Sequence, residues 1–107
     1  MLRCNVKIYV PSTYNVDKKI DNAKIVDDTK KLLCTLFGGS TESVVNGAWM
    51  DKTNTIVNER VNVIYSFMSF VDYLKNKKAI INHAKKIKDE MKQEAVSIEL
   101  NNKLYFI

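Results

Sequence analysis

The stretch Thr55–Phe67, TIVNERVNVIYSF, decides how this chain folds. Val57, Val61, Val63, Tyr65 and Phe67 fall on one side of a period of two, and Asn58, Arg60 and Asn62 on the other. Successive side chains of an extended chain point to opposite faces, so the alternation predicts a long strand with one apolar face, the face expected to meet the helices. Just upstream, Asp51-Lys52-Thr53-Asn54 is a polar turn, and Thr41–Met50 before it carries Val44, Val45, Gly47 and Trp49 in a second strand pattern. The two segments are expected to pair as a hairpin.

Working outward towards the N-terminus, Cys4, Val6, Ile8 and Val10 alternate with Asn5, Lys7 and Tyr9 across Arg3–Val10, a half-buried strand. Pro11 closes it by withholding a ladder donor, and Ser12–Lys19 reads as a long exposed loop. Asp21 or Asn22 can cap a helix in which Ile25, Val26, Thr29, Leu32, Leu33, Leu36 and Phe37 recur at helical spacing, and Gly38-Gly39 ends it. Towards the C-terminus, Ser69 can cap a second helix from about Phe70 to Lys92 with Ile80, Ala84, Ile87 and Met91 on its inner stripe. Asn76-Lys77-Lys78 interrupts that spacing and predicts a break or bend. Ala95–Leu100 alternates again, Asn101-Asn102 is a hairpin turn signal, and Leu104–Ile107 pairs back as a short fifth strand. The order β-α-β-β-α-β is the split-βαβ, ferredoxin-like arrangement: an α+β fold with both helices on one face of an antiparallel sheet in strand order 4-1-3-2. Residues 1–107 are read as a single ferredoxin-like domain.

Composition excludes several classes. The 107 residues are 46% hydrophobic and 27% charged, with 17 basic against 12 acidic side chains, outside the disordered, collagen-like and coiled-coil ranges. No apolar run approaches the roughly 20 residues that span a bilayer, and the N-terminus meets charge at Arg3, so a cytoplasmic protein without a membrane association is expected. The net charge of +5 invites a nucleic-acid reading. Yet only Arg3 and Arg60 carry the guanidinium fork suited to phosphates and bases, and Lys75, Lys77, Lys78, Lys85, Lys86, Lys88 and Lys92 line a helix face without interleaved aromatic residues. That face is read as solvated surface, and weak nucleic-acid binding through it is kept only as a third function. Cys4 and Cys34 are read as small buried hydrophobes. With a single His they do not supply a zinc site, and neither metal nor cofactor is expected.

Acidic residues carry more information than the basic excess. Glu59 shares the apolar phase of its strand, and Glu94 is in phase with Val96, Ile98 and Leu100. An ionised carboxylate on an apolar face needs donors, a shifted pKa or a wet pocket. The two are expected at different ends of the sheet. Trp49, next but one to Gly47 on the same face, fills the core or the sheet edge or forms a ligand-stacking platform. His83 has no nucleophile or carboxylate at helical spacing and is read as a boundary residue. Gly38-Gly39 precedes a strand, not a helix, and so stops a helix instead of cradling phosphate.

Phe37-Gly38-Gly39-Ser40-Thr41, Asn46-Gly47-Ala48-Trp49, Ile56-Val57-Asn58-Glu59 and Gln93-Glu94-Ala95-Val96 follow in that order. This combination resembles an uncharacterised family of small bacterial, plasmid and phage proteins with an F-G-G-x-T, G-x-W, E, Q-E-x-V pattern. The resemblance implies a ferredoxin-like fold and draws attention to Trp49, Glu59, Gln93 and Glu94, without implying a reaction.

Two functions from different classes compete. The leading expectation is a non-enzymatic interaction module, a phage or mobile-element accessory protein that inhibits a host defence protein. It would use a sheet face bearing Tyr9, Ile56, Asn58, Arg60 and Asn62, which could also pair two copies as a homodimer. The rival is a small-molecule-binding or enzymatic pocket around Trp49, Glu59, Gln93 and Glu94.

Overall fold

In chain order the elements are β1 (Cys4–Pro11), β2 (Thr13–Tyr14), β3 (Lys18–Lys19), α1 (Ala23–Phe37), β4 (Thr41–Met50), β5 (Ile56–Met68), α2 (Phe70–Met91), β6 (Ser97–Leu100) and β7 (Lys103–Phe106). They are those of a computed structural model that describes residues 1–14 and 18–107. Five strands form one antiparallel sheet in the order β4-β5-β1-β6-β7. This is the expected 4-1-3-2 order read from the other edge, extended by the C-terminal hairpin strand. The fold is α+β and ferredoxin-like. The expected loop Ser12–Lys19 instead contains a short β2–β3 pair, Thr13 opposite Lys19 and Tyr14 opposite Lys18, while its residues 15–17 lie outside the described part.

Local chemistry accounts for the element ends. The Asp21 carboxylate accepts the Ala23 N–H at 3.0 Å, which frees Asn22, at the N-cap of α1, to turn inward. The Gly38 N–H closes α1 onto the Cys34 carbonyl at 2.8 Å with φ of +90°, a left-handed conformation suited to glycine. The Ser69 hydroxyl accepts the Asp72 N–H at 3.2 Å and starts α2. No break occurs at Asn76-Lys77-Lys78. Asn76 donates to the Asp72 carbonyl one turn back at 3.0 Å, and Lys77 reaches over the Tyr73 ring at 6.0 Å, so the polar residues occupy ordinary helical positions. Asn101 and Asn102, with φ of 53° and 67°, make the β6–β7 turn of the primed type. Among the described residues no helix is long and apolar enough to cross a membrane.

The core lies between the helices and one sheet face. Val26 and Leu33 of α1 and Ile80, Ala84, Ile87 and Met91 of α2 meet Val6, Ile8 and Val10 of β1, Ile64 and Met68 of β5, and Ile98 and Leu100 of β6. The register inverts the expected faces of β5. Val6, Ile8 and Val10 stand beside Ser66, Ile64 and Asn62, so the even-numbered residues of β5 face the helices. Val57, Val61, Val63, Tyr65 and Phe67 occupy the open face instead. The polar inward residues are satisfied there: Ser66 donates its hydroxyl to the Gly39 carbonyl, and the Asn62 carbonyl accepts from the Asn22 amide at 3.0 Å. Counting apolar residues misleads here because both faces of β5 carry them.

This inversion divides the five partner-face candidates. Tyr9 is on the open face. Asn62 is buried on the helix side, and Ile56, Asn58 and Arg60 share its side, on the part of β5 beyond the helices. Cys4 is buried as expected, whereas Cys34 is exposed because it lies on the outer side of α1.

Candidate functional site on the open sheet face

Glu59 lies just beyond the point where β1 stops. Pro11, opposite Val61, is the last residue of β1 in the ladder, and the chain then turns so that Ser12 and Thr13 fold over β5. The Ser12 N–H and the Thr13 hydroxyl both donate to Oε1 of Glu59, at 3.2 and 3.0 Å. Gln93, after α2, donates through Nε2 to the Thr13 carbonyl at 2.7 Å and to the Met91 carbonyl at 3.3 Å. Gln93 thus holds the segment that holds Glu59. Among the described residues both hydrogen bonds to the Glu59 side chain fall on Oε1, which leaves Oε2 without one.

Space is available on both sides of this carboxylate. A cavity of about 180 Å³ is bounded by Tyr9, Pro11, Glu59, Gln93 and Ser97. A second, of about 320 Å³, is bounded by Thr13, Lys19, Trp49, Asp51, Val57 and Glu59. Gly47 is paired with Glu59 across β4–β5 and leaves that flank open. A Cβ built there stands 3.8 Å from the Glu59 carbonyl, so a longer side chain would extend over the site. Trp49, opposite Val57, is 44% exposed and presents its ring to the larger cavity. The turn beyond it is ordered by Asp51, whose Oδ1 accepts the Thr53 N–H at 2.8 Å, the Thr53 hydroxyl at 2.6 Å and the Thr55 N–H at 3.0 Å. Led by the Thr53 hydroxyl, these donors hold the Asp51 carboxyl below its ordinary pKa, so it is anionic at neutral pH.

Tyr9 forms the wall of the smaller cavity. Its hydroxyl donates to Glu99 Oε1 at 2.8 Å, while Lys7 Nζ stands 3.4 Å from Glu99 Oε2. Burial, helped by the Glu99 carboxylate, pushes the Tyr9 pKa up to about 12, so the hydroxyl keeps its proton. Further along the same face a third cavity, about 570 Å³, lies among Lys7, Tyr9, Val45, Val63 and Tyr65, and Glu59 takes no part in it.

The structure brings Glu59 together with Trp49 on one side and Gln93 on the other. Glu94 is exposed in the segment before β6, because the strand starts only at Ser97, and it lines neither cavity. The expectation that strands carry Glu59 and Glu94 to different ends of the sheet is also reversed. β5 and β6 both run antiparallel to β1, so the start of each lies at the end of β1. Glu99, Thr13 and Asp51 were missed. Glu99 was legible as an outward residue of β6 directly opposite Lys7, a cross-strand pair of opposite charge. His83 is half-buried and bonded to Thr29 at 2.8 Å, away from this face.

The site is therefore a carboxylate on the uncovered face of a ferredoxin-like α+β sheet, with a cavity on either side. No family model and no curated protein matches the chain. Two solved structures do match. One is a phage SAM lyase in complex with S-methyl-5′-thioadenosine, 17% identical, covering 97% of this chain and 88% of that one with a TM-score of 0.65. The other is phage SAM lyase in the apo state, 18% identical, covering 97% and 87% with a TM-score of 0.63. At such identity the likeness establishes a shared fold. It also corrects the expectation of a non-enzymatic module inhibiting a host defence protein, since the neighbours of this fold are an enzyme, one of them with a small molecule bound. The rival expectation, a small-molecule-binding or enzymatic pocket around Trp49, Glu59, Gln93 and Glu94, is the one these neighbours favour.

Proposed function

We propose that this chain is a lyase acting on a sulfonium nucleoside of the S-adenosylmethionine class, with Glu59 at the centre of the site. The observation that carries this reading is the anchoring of Glu59 through Oε1 alone, with Oε2 left between two cavities on the open face. The likeness to phage SAM lyase, one of whose structures contains S-methyl-5′-thioadenosine, supports the choice of substrate class.

The chemistry suits the residues present. Release of S-methyl-5′-thioadenosine requires the bond between the sulfonium sulfur and the methionine Cγ to break, with the electron pair going to sulfur. The thioether leaves uncharged. The four-carbon remainder closes on itself, its own carboxylate forming the new bond to Cγ, so the step consumes neither water nor a redox partner. The protein's task is to fold the substrate into that geometry, and a fixed anion beside the cationic part contributes to binding and placing it, since that charge is lost as the bond breaks. Glu59 supplies the anion, Gln93 and Thr13 fix its position, and Tyr9, protonated at neutral pH, bounds the cavity assigned to the methionine arm.

Incubation with S-adenosylmethionine followed by liquid chromatography is expected to show S-methyl-5′-thioadenosine accumulating without added cofactor. Glu59→Gln keeps the shape and removes the charge, and is expected to raise KM and lower kcat/KM about 10- to 150-fold, the equivalent of losing one charge-assisted contact to the substrate. Absence of product from the unmodified chain, or full activity in Glu59→Gln, overturns the proposal.

A further inference from the structure

We infer that the larger cavity beside Glu59 is a nucleoside subsite in which the Trp49 indole stacks on the purine ring. The inference rests on the lyase reading and divides the substrate between the two cavities. A volume of about 320 Å³ is at the lower end of small-ligand sites and suits a nucleoside, while the 180 Å³ cavity is left for the amino-acid arm. The third cavity, though larger, does not border Glu59, and a ring bound there would leave the sulfonium away from the carboxylate.

The lining agrees with this division. Trp49 and Val57 are paired neighbours on β4 and β5 and supply an aromatic and an aliphatic surface on the same face. Stacking on a large aromatic ring is the general means by which proteins hold a base without reading its edge. Asp51 and Glu59 border the same cavity, and each accepts its internal hydrogen bonds through a single oxygen, Oδ1 and Oε1 respectively. Their second oxygens are acceptors of the kind that bind a ribose diol. The smaller cavity, with Gln93, Ser97 and Tyr9, offers polar contacts and no aromatic face as large as an indole. A purine bound on Trp49 places the 5′ position of its ribose towards Glu59, where the two cavities meet.

Trp49 is the only tryptophan of the chain, so its emission reports on this cavity alone. Titration with S-methyl-5′-thioadenosine is expected to quench that emission saturably, with the dissociation constant found by calorimetry, whereas methionine alone leaves it unchanged. Trp49→Phe retains a stacking ring and is expected to bind within about threefold of the parent. Trp49→Ala is expected to weaken binding about 5- to 150-fold. If calorimetry shows binding while the emission does not change, or if Trp49→Ala binds as tightly as the parent, the subsite is wrong and the lyase reading stands. If calorimetry shows no binding to the unmodified chain, the lyase reading itself fails. The quenching is measured on the unmodified protein, so it decides the matter even if Trp49→Ala does not fold.

Discussion

Asn62 is the residue that most clearly separates the sequence reading from the structure. A polar residue in an alternating strand is expected to face water, yet Asn62 is buried under the helices and joins three elements. Its carbonyl accepts from Asn22, its amide donates to Glu42 Oε2 at 2.7 Å, and Glu42 in turn holds Lys30 of α1 at 2.6 Å. Asn62→Ala leaves the buried Asn22 amide short of an acceptor, and is expected to cost about 1–3 kcal/mol, measured by urea unfolding. His83 makes a comparable link between the helices. The Thr29 hydroxyl spends its one proton on the Ile25 carbonyl at 2.8 Å, so the Nε2–H of His83 must donate to Thr29. Burial, with Lys86 adding repulsion, lowers the His83 pKa below the ordinary 6.5. The folded state therefore binds this proton less readily than the unfolded chain. The stability contributed is fully present above pH 6.5 and is lost as pH falls through the lowered value. His83→Gln, which keeps an N–H donor, is expected to flatten that part of a melting-temperature profile. A profile as steep as the parent's between pH 7 and pH 5 would show that other groups set it. Glu59 was legible as an anomaly, because an acid in an apolar phase is conspicuous in any sequence. Its donors were not, since Ser12 and Thr13 reach it only through the turn after Pro11.

At the scale of elements, strand and helix limits follow from short-range chemistry and were largely readable: Gly38, Ser69 and the Asn101-Asn102 pair each end or begin an element by local hydrogen bonding. The phase of β5 was not, because a strand with apolar residues on both faces takes its orientation from its neighbours. β1, whose apolar residues lie on one face only, set it through the pairing of Ile8 with Ile64. The β4–β5 hairpin carries Trp49 and Glu59 on one face and depends on its turn for their spacing. Asp51→Ala removes three acceptor contacts from that turn. Faster amide exchange at Thr53 and Thr55 and altered Trp49 emission are expected, with the global unfolding midpoint nearly unchanged because the turn is exposed. A large drop in midpoint would mean that the turn supports the core, contrary to its position outside it.

The whole molecule is elongated, 46 × 25 × 21 Å, and its two ends differ in kind. The helices cover the half of the sheet holding Ile8, Ile64, Met68 and Ile98, all buried, whereas β4 and the first residues of β5 project beyond them and remain largely exposed. The net charge of +5 reports on neither end, since the lysines are spread over both helices, the strands and the turns, and the proposed site sets two carboxylates and a tryptophan beside a single lysine, Lys19. A site on the projecting half draws on the least stabilised part of the fold, as ligand-binding segments commonly do. Amides of β1 and of residues 62–68 are expected to exchange with solvent only through global unfolding, and those of residues 47–60 through local opening at least tenfold more often. Saturating S-methyl-5′-thioadenosine is then expected to slow exchange chiefly across residues 47–60 and around Ser12 and Thr13, where Glu59 is anchored. Uniform protection of every amide, or protection confined to Lys7, Tyr65 and their neighbours around the third cavity, would place the ligand elsewhere than beside Glu59.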